Sequence, residues 1–128
     1  MSLEQFDERT PYLNSQEITG AIGTTGMLVT ATDFNVRIDA VTLSNSDAVV
    51  HHVRLVCGPI GGMETIGVFA LQPAVAPGLS GPVQDGFSQM SSNHQFVVIP
   101  PDGQLAILND DVIPAGKFCA AVAMGGSF

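Results

Sequence analysis

The residues whose chemistry invites a function are few. They are the adjacent histidines His51 and His52, the aspartates Asp102, Asp110 and Asp111, the cysteines Cys57 and Cys119, and the spaced glycines Gly20, Gly23 and Gly26. Neighbouring imidazoles suggest a metal-ligand pair. Both, however, fall in an alternating run from Val49 to Cys57, and consecutive strand residues point to opposite faces, so the two rings cannot chelate one ion together. The pattern predicts one surface histidine and one hydrogen-bonded core histidine, and leaves open which is which. His94 joins either of them only through the tertiary fold.

Paired carboxylates carry glycoside hydrolysis, but a sugar platform draws on aromatic faces, and this chain has no Trp and one Tyr. Calcium would need several oxygens converging from an Asp-x-Asp-x-Asp run, and none exists here. The three aspartates are therefore expected to fix turns. The spaced glycines lack the Lys and the following helix of a phosphate loop, and read as a turn. Neither a Gly-x-Ser-x-Gly elbow nor a His-Glu-x-x-His motif occurs. The cysteines sit far apart in apolar strand patterns and are expected to remain reduced and structural. The expectation is a protein that is not an enzyme, with no cofactor and no bound metal.

Those residues must be positioned by a chain of 128 residues, a length suited to one domain. Charged residues make up 12% of it and hydrophobic residues 45%, the opposite of the balance that keeps a chain disordered. Arg9, Arg37, Arg54 and Lys117 are the whole cationic complement. That excludes a nucleic-acid binder working through phosphate contacts. The start of the chain has neither the positive charge nor the apolar run of a secretory signal, and the uncharged stretch from Thr65 to Gln84 is broken by prolines. A soluble protein made in the cytoplasm, without a membrane partner, is expected.

Helical periodicity is nearly absent; a capping box at Ser2 to Gln5 allows a turn or two. Strand signals fill the rest, at Gly26–Thr32, Asn35–Ser44, Val49–Cys57, Thr65–Leu71, Phe87–Met90, Gln95–Ile99, Gln104–Leu108 and Lys117–Met124. The apolar phase switches near Asp39-Ala40, which predicts a bulge. Asn45-Ser46-Asp47 predicts a turn made by side-chain-to-backbone bonds. No crossover helix separates the strands, so the sheet is antiparallel. The fold class read from this is all-β: an antiparallel β-sandwich, best fitted by an eight-stranded jelly roll over residues 18–128, with an irregular N-terminal arm over residues 1–17. A small up-and-down barrel uses the same elements. An immunoglobulin-like sandwich does too, although its Cys-Trp-Cys spacing is missing.

With so few charges, the outside must be covered largely by Ser, Thr, Asn, Gln, Ala and Gly. Strand edges without Lys are hazardous in a free monomer and suit a protein packed against copies of itself. The alternative is a monomer kept in solution by its charge of −8. The expected contact residues are Phe6 and Tyr12 on the arm, Val75, Pro77 and Leu79 in the proline-stiffened loop, and the terminal Phe128.

The run from Val36 to Asn45 followed by Val49 to Cys57, with Ile99-Pro-Pro-Asp-Gly103 and Ile113-Pro-Ala-Gly116 each ahead of a strand, resembles small jelly-roll virion proteins of tailed bacteriophages. The resemblance covers residues 34–124. It implies a capsid decoration (cement) protein that clamps junctions between major capsid subunits, usually as a homotrimer, and so resides in the virion. It offers no catalytic residues to carry over. A tail, baseplate or fibre component is the nearest alternative. A lectin-like or cupin-like domain is a further one, although a cupin needs His and carboxylate ligands converging inside the barrel.

Overall fold

A computed structural model describes residues 10–75, 81–87 and 97–127. They form nine strands: β1 (Thr10–Ile18), β2 (Thr25–Thr30), β3 (Val36–Asn45), β4 (His51–Pro59), β5 (Glu64–Leu71), β6 (Gln84–Asp85), β7 (Val97–Ile99), β8 (Gly103–Asn109) and β9 (Cys119–Ser127). No helix among them is long and apolar enough to cross a membrane.

The pairing is nested. β1 lies against β9, β2 against β8, β3 against both β6 and β7, and β4 against β5, all antiparallel. That is one long hairpin; its rolling up is completed by β3 pairing β9 and β4 pairing β8. The result is two facing sheets, β1-β9-β3-β6/β7 and β2-β8-β4-β5, the jelly-roll form of the sandwich. β6 pairs the late part of β3 and β7 its early part, so the two short strands share one position and nine strands fill eight places.

The inward residues explain the layering. Leu28, Ile38, Val41, Leu43, Leu55, Phe69, Leu71, Leu105 and Ile107 are buried in one cluster between the sheets. Each large side chain so placed contributes roughly 1.5–3 kcal/mol. The phase switch in β3 is a register shift between Ile38 and Ala40, which returns Val41 and Leu43 to the core after Val36 and Ile38. Further shifts occur in β2 between Met27 and Val29 and in the β4–β5 pair between Leu55 and Val56.

Over residues 10–17 the predicted arm is corrected, while residues 1–9 lie outside the described residues. Residues 10–18 are a nine-residue strand: the side of β1 that turns towards the other sheet carries Tyr12, Asn14 and Gln16 before Ile18, and Tyr12 and Asn14 find polar partners there. Leu13, between them, is 71% exposed. The apolar alternation is thus inverted relative to a usual half-buried strand. A two-residue strand that the sequence did not suggest lies at Gln84–Asp85. Phe87 follows it as a buried side chain, with its amide donating to the Asp85 carboxylate. The capping box, and the remainder of the Phe87–Met90 and Gln95–Ile99 segments, lie outside the described residues.

Both open seams of the sandwich are closed by side chains. On one side the Tyr12 hydroxyl donates to the Leu28 carbonyl (2.6 Å), and Asn14 Nδ2 donates to the same oxygen (2.9 Å). On the other, the Gln84 carboxamide accepts from the Gln72 amide (2.9 Å) and donates to the Ala70 carbonyl (3.3 Å), acting as one more peptide group at the end of β5. The edges expected to be open to strand addition are therefore partly capped.

Candidate functional site

At the end where β3 turns into β4 and β8 into β9, the loop chemistry follows from short polar side chains. Asn45 Oδ1 accepts the Asp47 amide (2.9 Å), and Asn45 Nδ2 donates to the Val49 carbonyl (2.8 Å) and the Leu71 carbonyl (3.2 Å). Asp47 Oδ1 accepts the Ala48 amide, and Ser46 Oγ accepts the Phe118 amide. The predicted Asn45-Ser46-Asp47 turn is thus built as the sequence requires. Asn109 Nδ2 reaches the Ala21 and Asp111 carbonyls (2.9 Å each), joining the β1–β2 loop to the β8–β9 loop.

His51 lies at the centre of this end and is 4% exposed. Its Nε2 is 2.7 Å from Asp47 Oδ2, and its Nδ1 is 2.7 Å from Asp111 Oδ1. A neutral imidazole has one N–H, whereas both nitrogens here face carboxylate oxygens, so the ring donates twice and is an imidazolium. Burial opposes that charge, but the bonds to Asp47 and Asp111 outweigh it and raise the histidine above its ordinary range. The bond from His51 holds the Asp47 carboxyl below its usual value. Burial pushes Asp111 up, but the His52 amide and both rings more than reverse this, and it too is lowered.

His52 is exposed. Its amide donates to Asp111 Oδ2 (2.9 Å), and its Nδ1 approaches the same oxygen (3.2 Å). The core histidine is His51 and the surface one is His52. Beside them Arg54 donates through Nε to Asp110 Oδ1 (2.8 Å). Asp110 and Asp111 therefore hold the end of β8 against β4, a turn-fixing role.

The cluster has no route to nucleophilic catalysis. A relay needs one imidazole nitrogen on a hydroxyl or thiol, and both of these are committed to carboxylates. Cys57 and Cys119 are free thiols. Burial, with the nearby charges of Asp111 and Asp47, pushes Cys119 up to about 12, which leaves it a thiol and a poor nucleophile at neutral pH. Burial raises Cys57 as well. Among the described residues no group of three or more His, Cys, Asp or Glu side chains is placed to hold a metal ion. Of the spaced glycines, Gly20 and Gly23 form the β1–β2 turn at positive φ, their amides donating to the Ile113 and Asn109 carbonyls and so not offered to a phosphate, whereas Gly26 is corrected from a turn residue to a member of β2, paired with Ile107.

The second candidate is the outward face of the β1-β9-β3 sheet. In β9 the small Ala121 and Ala123 point inward, which lets the sheets approach, while Ala120, Val122 and Met124 point out. Pairing sets Leu13 beside Met124 and Met124 beside Ala40. The next row is Ser15, Val122 and Thr42. Charge sits at the borders of this face, at Glu17 in β1 and at Arg37, whose Nε is 2.7 Å from Asp39 Oδ1.

Of the predicted contact residues, Tyr12 is corrected: its ring packs against the core and its hydroxyl is bonded within the chain, so it does not project to a neighbour. Val75 is 90% exposed beyond β5, where the Ala74 amide is tied to the Asp47 carbonyl (2.8 Å). Phe6, Pro77, Leu79 and Phe128 lie outside the described residues. Sequence reasoning missed Leu13 and Met124, although the spacing of Ala120, Val122 and Met124 already marked an apolar stripe. It also missed Asp47 as the partner of His51.

No protein-family profile matches the chain, and no curated protein and no solved structure matches it.

Proposed function

We propose that this chain is a structural protein of a bacteriophage particle, a decoration (cement) protein that binds the assembled head as a homo-oligomer, expected to be a trimer, with the major capsid protein as its partner. The observation that carries the reading is the outward face centred on Leu13, Met124, Val122 and Ala40. An exposed apolar face rimmed by polar groups favours association, at roughly 25 cal/mol per Å2 of apolar surface covered. Many weak contacts on a repeating lattice multiply through avidity.

Two further features support the same reading. Tyr12, Asn14 and Gln84 close the seams against strand addition while the face stays open, which favours defined docking over open-ended aggregation. The double carboxylate grip on His51 leaves it no role in turnover. The phage setting is proposed from the resemblance of residues 34–124 to phage virion proteins. A place in the tail or baseplate uses the same fold, and the test below separates the two.

Purified protein is mixed with undecorated heads or with isolated tails, and each mixture is pelleted. Co-sedimentation with heads, abolished by Leu13→Asp with Met124→Asp, is the expected result. Co-sedimentation with tails alone moves the protein to the tail. Protein left in the supernatant with both overturns the proposal.

A further inference from the structure

We infer that His51, gripped as an imidazolium between Asp47 and Asp111, is a proton-operated latch that locks the loop end of the sandwich and loosens it when the proton leaves. The inference is independent of what the protein docks to.

The geometry sets the logic. Asp47 belongs to the β3–β4 loop and Asp111 to the β8–β9 loop, and His51 opens β4 between them. With two N–H groups the ring satisfies both carboxylates. With one, it must leave an oxygen lone pair facing a nitrogen lone pair in a nearly closed site, and one loop has to move. Asp47 carries more than its own loop: its main-chain oxygen holds the Ala74 amide, and its side chain holds the Ala48 amide. Asp111 in turn holds the His52 amide. The tips of these loops expose Val49, Val50 and Val112, so the latch sets how firmly an aliphatic set of tips is presented.

The other ionisable groups around the ring are few. Lys117, two residues before β9, acts on Asp47 through its charge. Cys119 on β9 stays a neutral thiol. His52 on β4 touches Asp111 from the solvent side, and Asp110 is paired with Arg54. Among these, His51 is the group held charged by its own geometry and able to lose that charge as the pH rises.

The sign follows from the directions. A histidine raised in the folded state contributes stability that is complete below its unfolded value of 6.5 and is lost as the pH climbs through the folded value. Asp47 and Asp111, lowered from 3.8, contribute stability that is lost as the pH falls below that value. The latch is therefore tightest between those two limits and opens on the alkaline side.

The test uses the intact chain in two measurements. Imidazole nitrogen NMR follows His51 from pH 5 to 9, and its ring is expected to stay doubly protonated above its ordinary value of 6.5. Amide exchange protection at Ala48, His52 and Ala74 is expected to fall about tenfold over the same range, while Ala31 and Asp102 at the opposite end keep theirs. The melting temperature should decline from pH 6 to 9 in the wild type and in His52→Gln, and stay level in His51→Gln. If His51→Gln does not fold, the wild-type NMR and exchange data decide alone. A His51 ring neutral at pH 6, or protection at Ala48 and His52 unchanged by pH, overturns the latch.

Discussion

Where β3 turns into β4 and β8 into β9, the loops are joined by the side chains of Asn45, Asp47, His51, Asn109 and Asp111. At the opposite end, Ala31 donates to the Gly103 carbonyl and Asp102 to the Ala31 carbonyl (2.9 Å each), and Ile60 approaches the Asp102 carbonyl (3.3 Å), main chain to main chain. Backbone fit does the remaining work there. Gly125 sits opposite the β3 bulge, where an added Cβ would run into the Arg37 carbonyl, and Asp102 holds a left-handed φ of 65°. One end thus depends on charge and the other on shape. The first is wrecked by removing a proton donor, and His51 makes it respond to pH.

Breaking the charged end should give the largest effect. His51→Ala leaves Asp47 and Asp111 without their shared donor in a site closed to bulk water, and a loss of about 3 kcal/mol is expected at pH 5.5. The loss should shrink at pH 8.5, towards the alkaline side on which the raised histidine gives up its contribution. Denaturant unfolding at the two pH values measures both, and an equal loss at each would remove the distinction between the ends. Gly125→Ala tests the other half. It should cost about 2 kcal/mol through forced separation of β9 from β3, and the cost should be the same at both pH values.

A smaller change sharpens the shape argument. Asp102→Gly removes a side chain from a left-handed position but loosens the unfolded chain, and the two effects nearly offset. A shift within about 0.5 kcal/mol is expected. A loss well above that would mean the Asp102 side chain supports the far end, and that this end is not held by backbone fit.

The contrast between the ends also explains what could be read from the residues. The β3 bulge was legible because Val36, Ile38, Val41 and Leu43 change phase at Asp39-Ala40, and one extra residue is the cheapest way to bury all four. The Asn45-Ser46-Asp47 turn was legible because its bonds are local. β1 was not, because its inward face is Tyr12, Asn14 and Gln16, which reads as an arm until the β2 bulge supplies carbonyl partners. The latch was not legible either. Asp47 is four residues from His51, but Asp111 is brought up only by the pairing of β8 with β4. A histidine between two carboxylates is visible once both registers are known.

A small change in stability is also expected on the side of the sandwich that belongs to neither end. Leu13 and Met124 make neighbouring contacts on the outer face of β1 and β9, with Leu13 well exposed, so Leu13→Ser with Met124→Ser should move the unfolding free energy by no more than about 1 kcal/mol. Association should change far more. If copies meet through this face, sedimentation of the wild type shows a concentration-dependent oligomer, and the double variant runs as a monomer at the same loading. The same oligomer in both would exclude the face and leave the aliphatic tips Val49, Val50 and Val112 of the charged end as the next surface to substitute. In that case the assembly itself should weaken above neutral pH, because the loops that carry those tips are the ones His51 holds.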